Sequence, residues 1–347
     1  MKTSYLKIAV FSFGLFFTIA SSAQVGEVNL KDIGGFGKFK KFEKKVFIAE
    51  FVVNYQVLYT ATDKKSAGQF GVGGHYQGSA EASGAMGLKG ISDELLKKMT
   101  NKLYKEYIDK LKSEGFTFVD PANANNSKAY EGLELIEGGE AFVQYPGTIS
   151  VTPEGYSFYK TKRLKNKNGT VMFDNSPGIS RDLDDAIVAR VALNVQFAKP
   201  GQQFIKTGAS VKIKSNLCVT DNMVTSQIAE GGKLIQFNEN DVVSVASKVS
   251  FGVGKKMAAH EAAYNGIVKK QVTIDGVLDD TKVNAFARGS AATSSQTFGN
   301  YTTYFFDTKT DIVIEEVEVD LEKYEQYVGE ALNKVLLGHT NLFLEEY

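Results

Sequence analysis

Between Ile187 and Phe197 the chain alternates with a period of two. Ile187, Ala189, Val191, Leu193, Val195 and Phe197 fall on one side, and Arg190, Asn194 and Gln196 on the other. A helix would scatter these six apolar residues around its whole circumference, whereas a strand gathers them on one face, so this chain must build a sheet around this segment. A second stretch, Lys45 to Thr60, is almost continuously apolar and free of Gly and Pro. That pattern predicts a long strand buried on both faces for much of its length. Further strands are expected at Ala141 to Tyr145, Gly155 to Lys160, Ala209 to Val219, Leu234 to Phe237, Val242 to Phe251, Gln271 to Val277, Thr302 to Phe306 and Ile312 to Val319.

Two helices stand out against this background. Ser92 caps the first, Asp93 and Glu94 suit the positive end of its dipole, and Leu96, Met99, Leu103, Tyr107 and Leu111 recur at helical spacing before Gly115 stops it. With the strand before it and the short "FTFVDP" strand after it, this helix completes a parallel crossover unit. Asp320 caps a final helix with Leu321, Tyr324, Val328, Leu332 and Val335 on one face and Gly338 as its expected stop. The expected class is therefore α/β to α+β: a mixed, strand-rich sheet with a few packed helices, and amphipathic β-hairpins as a further expectation.

The chain begins with Lys2 and Lys7 ahead of an apolar run from Ile8 to Ala20, with Ser21 and Ala23 at the small-residue positions of a cleavage site. Residues 1–23 read as a secretory signal peptide, too short in its apolar part to span a bilayer. A basic Gly/Lys-rich segment follows at 24–45, in which Lys38, Lys40, Lys41, Lys44 and Lys45 surround Phe39 and Phe42, either as a solvated face or as a contact for anionic headgroups. Then come the strand–helix–strand unit at 46–120, a loop-rich middle region at 121–185 holding four of the five prolines, all of which fall between residues 121 and 200, a mainly β region at 186–319, and a C-terminal helix and tail at 320–347. Cleavage removes only two lysines from a balance of 40 basic and 40 acidic residues, so no electrostatic footprint for nucleic acid is present. One cysteine, Cys218, cannot form an intrachain disulfide, and its apolar neighbours make it a small buried hydrophobe.

No chemistry-bearing motif is complete. The three histidines, His75, His260 and His339, are far apart. "HEAAY" at His260 has Tyr264 where a zinc-peptidase helix needs its second histidine, and His260 reads instead as a helix-surface residue. The acidic groups Asp182, Asp184, Asp185 and Asp275, Asp279, Asp280 match no calcium loop and read as turns and caps. No Gly-x-Ser-x-Gly elbow aims a serine. No catalytic set, metal or cofactor is expected, although a carboxylate pair assembled in space would leave no trace in sequence.

The run "FGVGGHYQGSAEASGAMGLK", Phe70 to Lys89, within a hairpin candidate at 68–90, also fails as a phosphate loop, because Tyr76 stands where a dinucleotide fingerprint needs glycine. Its parity is more informative. Phe70, Val72, Gly74, Tyr76, Gly78, Ala80, Ala82, Gly84, Met86 and Leu88 share one side, while the other side is small, polar or charged. This is strand alternation, with Phe70, Val72, Tyr76, Met86 and Leu88 as the candidate membrane- or partner-facing residues. A turn between Gly78 and Ser83 would make it two strands, either a lipid-facing pair or a soluble edge hairpin.

The segments "VFIAEFVVNYQV", "ISDELLKKMTNKLYKEYIDKLKSEGFTFV", "IVARVALNVQFAKPGQQFIKTGASVKI" and "YEQYVGEALNKVLLGHTNLF" occur in an order that resembles the periplasmic α/β domain of the curli secretion channel family (CsgG-like). The resemblance implies an outer-membrane pore in which many copies each donate hairpins to one barrel. Two features depart from it: no lipidation cysteine follows the leader, and the glycine run precedes the first helix. The expectation is thus a non-catalytic exported cell-envelope protein, periplasmic, outer-membrane-associated or extracellular, acting as an oligomeric secretion or assembly component. A soluble secreted module binding a sugar or a protein is the alternative, and a carboxylate-dependent hydrolase the second.

Overall fold

The computed structural model describes residues 24–65, 80–159, 175–201, 209–225, 244–255, 259–287, 293–298, 301–306 and 314–347. Strands β1 (Gln24–Val25) and β2 (Asn29–Asp32) precede the long β3 (Lys45–Gln56). The stretch expected as one strand to Thr60 breaks at Val57, where the Val57 and Leu58 amides both donate to the Gly147 carbonyl. From there β4 (Leu58–Lys65) runs out and β5 (Ala80–Leu88) returns beside it, antiparallel from Leu58↔Gly87 to Lys65↔Ala80. Of the turn expected near Gly78 to Ser83, Ala80 to Ser83 are already in the returning strand, and Gly78 and Ser79 lie outside the described residues.

Helix α1 (Asp93–Ser113) follows, with the Ser92 hydroxyl accepting from the Leu95 amide at 3.3 Å and Leu96, Met99, Leu103, Tyr107 and Leu111 buried. Gly115, at φ +85°, ends it and leads into β6 (Thr117–Phe118), which pairs parallel to β3. The expected crossover unit is present. The middle region holds β7 (Leu135–Glu137), β8 (Ala141–Tyr145), β9 (Thr148–Val151), β10 (Ser157–Tyr159) and a short helix α2 (Ser176–Asp182), which the loop-rich composition concealed.

The mainly β region comprises β11 (Ile187–Pro200), β12 (Ala209–Thr220), β13 (Asn222–Val224), β14 (Ser244–Ala246), β15 (Lys248–Val253), β16 (Ala262–Lys270), β17 (Val272–Asp275), β18 (Lys282–Ala287), β19 (Thr293–Phe298), β20 (Tyr301–Phe306) and β21 (Ile314–Val317). The segment after His260 is therefore a strand rather than the expected helix. Its alanines and Gly266 are small because residues pack tightly on it: a Cβ at Gly266 would lie 2.4 Å from His339 Nδ1.

β3 and β11 run parallel at the centre of a twelve-stranded sheet. Beyond β11 the sheet forks. The first half of β11 pairs with β15, continuing to β16 and β2, and its second half pairs with β12, continuing to β17, β1 and β18. The opening segment is thus woven into two sheet edges. β4, β5 and β21 form a second, three-stranded sheet stacked on β12 and β18.

The chain closes with a turn of helix, α3 (Leu321–Lys323), a π-helical turn at Tyr324–Val328, and α4 (Gly329–Leu344). The Asp320 carboxylate caps this end, accepting from the Lys323 amide. Gly338 does not stop the helix. A Cβ there would lie 2.5 Å from Leu30 Cδ1, so the glycine brings α4 close to β2 instead. Leu321 lies outside the apolar face assigned to it, at 42% exposure. α1 and α4 pack side by side over the face carrying Ile187, Ala189, Val191, Leu193, Val195 and Phe197, all fully buried. Burying each large apolar side chain contributes roughly 1.5–3 kcal/mol, and this layer is the main core.

Candidate functional site

The described half of the glycine run sits at the seam between the two sheets. Even-numbered residues of β5 face β12 and β18: a Cβ at Gly84 would meet Val283 at 3.0 Å and Val211 at 3.3 Å. Met86 and Leu88 are buried in the main core, so at these two positions the apolar side meets protein. The opposite side is covered too. Ser83 shares a 3.0 Å hydrogen bond with Thr62, and Ala85 packs with Val57, Leu58 and Ile314. The wet face expected from the parity is absent along this part of β5, because the three-stranded sheet is packed on both sides. Phe70, Val72 and Tyr76 lie outside the described residues.

A buried carboxylate braces the seam. Asp63 of β4, 9% exposed, accepts the Ser210 amide of β12 at 2.8 Å. The last described pair of β4 and β5 is Lys65↔Ala80, and the pairing of β12 with β18 reaches Ala209↔Ala287. Two antiparallel ladders therefore run toward the same end of the molecule, held together by the Asp63 contact and by the close packing of Val211 and Val283 on Gly84.

The polar side of β11 is buried rather than solvated. Asn54 of β3 donates to Asn194 Oδ1 at 2.9 Å and accepts from the Ser150 hydroxyl at 2.7 Å, while Asn194 donates to the Val245 carbonyl. A bulge after Gln196 frees the Phe197 and Ala198 amides, and Gln56 Oε1 accepts both, at 3.1 and 3.0 Å. Gln56 also donates to the Val224 carbonyl, and Gln196 accepts the Val224 amide. These amides stitch the β13–β14 hairpin over the fork in the sheet. Sequence reasoning placed Asn194 and Gln196 on the polar side without showing what covers it. The signal available was the second pair of amides, Asn54 and Gln56, at the end of a largely apolar strand.

Further along the same face, Arg190 donates to Ser176 Oγ at 3.1 Å and Asn175 Oδ1 at 2.6 Å, with Glu50 Oε2 at 3.7 Å. Tyr130 stacks on Tyr159 beside it, ring centroids 4.2 Å apart, and burial pushes its hydroxyl up to about 12. This cluster fastens α2 to the sheet.

The isolated reactive types are accounted for by packing. Burial pushes the Cys218 thiol up to about 12, so it stays protonated and unreactive at neutral pH. His339 accepts or donates to the Tyr264 hydroxyl at 2.7 Å, and burial lowers it to about 4, leaving a neutral ring. His75 is outside the described residues. Asp182 accepts from Ser127 and the Lys128 amide, and Asp184 and Asp185 adopt φ of +56° and +59°, a turn geometry. Among the described residues no three His, Cys, Asp or Glu side chains are grouped to hold a metal, and no helix is long and apolar enough to cross a membrane. No protein-family model, curated protein or solved structure matches this chain.

Proposed function

We propose that this protein is an exported, non-catalytic cell-envelope component that assembles into an oligomer through its strand hairpins, in contact with the outer membrane. The observation that supports this reading is the bracing of β4–β5 against β12–β18, with both ladders directed to one end. A hairpin that only closed a loop would need neither the β12–β18 ladder packed beneath it nor a buried aspartate joining the two. The sequence from Phe70 to Gly78, outside the described residues, alternates with Phe70, Val72 and Tyr76 on one side, as a lipid- or partner-facing strand requires. The buried polar groups add to the reading from the other direction: the amides of Asn54, Gln56, Asn194 and Gln196 are engaged in holding the fold.

Fractionation of the native protein with and without detergent, followed by sizing, tests the proposal. It requires a membrane-fraction species that detergent releases as an oligomer. A monomer found only in the soluble fraction contradicts it and favours the secreted binding module.

A further inference from the structure

We infer that the turn following β2 docks onto an anionic lipid bilayer surface. Two large apolar side chains are held in solvent there, Ile33 at 45% and Phe36 at 52% exposure. Their exposure is built in. The Ile33 amide donates to the Asn265 carbonyl, and Phe36 exchanges both backbone hydrogen bonds with Ala263. Gly34 and Gly37, at φ of +73° and +77°, shape the turn, and the fully buried Phe39 anchors its far side 4.9 Å from the Phe343 ring. The backbone is thus tied to the edge of β16 while two apolar tips project outward.

The charge around the tips selects the partner. Residues 31–45 carry six lysines against Asp32 and Glu43. Lys41, Lys44 and Lys45 bind Glu261, the Glu114 carbonyl and the Leu183 carbonyl, and Asp32 is turned inward to the Asn265 amide. Lys31, Lys38 and Lys40 are exposed and make no ion pair with any described residue. Exposed apolar tips in a segment that also carries three uncommitted lysines match the headgroup boundary of an anionic membrane, where apolar insertion and charge attraction add. This surface lies on the β15 branch of the fork, away from β4–β5, and does not depend on the hairpin reading.

The test is flotation of the mature chain with vesicles of phosphatidylcholine alone or with added phosphatidylglycerol. Binding to the anionic vesicles only, weakening with salt, is expected. Lys38→Ser with Lys40→Ser should lower partitioning about 25-fold, at roughly fivefold per lysine near such a surface. Ile33→Ser with Phe36→Ser should also weaken binding to the anionic vesicles, with cooperative thermal unfolding retained. Equal binding to both vesicle types, full binding by the turn variants, or a dimer that the Phe36→Ser change dissolves would each overturn the inference.

Discussion

At the scale of single residues, Gly84 makes the clearest demand. Its missing Cβ is the space in which Val211 and Val283 meet β5, so Gly84→Val should cost about 1–3 kcal/mol by overpacking, read as a lower urea midpoint. Asn194→Ala would leave the Asn54 amide buried without its acceptor, and a loss of about 1–3 kcal/mol is expected in the same assay. His339 gives a pH signature. Its folded value, about 4, is below the unfolded reference of 6.5, so above pH 6.5 the ring is neutral in both states. Between 6.5 and 4 only the unfolded chain takes up the proton, and stability falls as the pH falls. From pH 7 to pH 5 this one group should remove about 2 kcal/mol, a loss that His339→Gln abolishes. Residue types were legible where burial alone decided the outcome, as with Cys218 and the helix face of Leu96 to Leu111. They were not legible where a polar side chain is buried by a distant hairpin, as with Asn54 and Gln56, because covering elements leave no local mark.

At the scale of elements, α1 was readable in full because cap, dipole charges, apolar spacing and stop all agree within one short segment. β16 was not, since its alanines and glycine resemble a helix and their strand role depends on His339 and β15. Gly338 misled for the same reason: a glycine near a helix end signals either a stop or a close approach, and only Leu30 shows which. The β4–β5 arm depends on one buried carboxylate. Asp63→Ala should leave the Ser210 amide without its acceptor and expose the seam, seen as faster amide exchange in residues 209–213 and 82–88 with the β3–β11 centre still protected. Uniform exchange across both sheets would show that Asp63 does not hold the arm in place.

At the scale of the whole molecule, a forked twelve-stranded sheet carries α1 and α4 on one face and α2 with a stitched polar layer on the other, while the three-stranded sheet that contains the β4–β5 hairpin stacks on β12 and β18. The mixed, strand-rich class was legible because periodicity is local. The fork was not, since it requires β11 to change partners halfway along, from β15 to β12, and nothing within the alternation from Ile187 to Phe197 records a partner. On the proposed reading, the segment from Phe70 to Gly78 presents an apolar side to lipid or to neighbouring copies. The single native thiol is buried and held protonated, so single cysteines introduced from position 70 to 77 can be labelled selectively with an environment-sensitive fluorophore. In the detergent-extracted oligomer, emission should shift to the blue at Phe70, Val72 and Tyr76 and stay water-like at Gly71, Gly73 and His75. Water-like emission at every position, or shifts with no period of two, would contradict the claim.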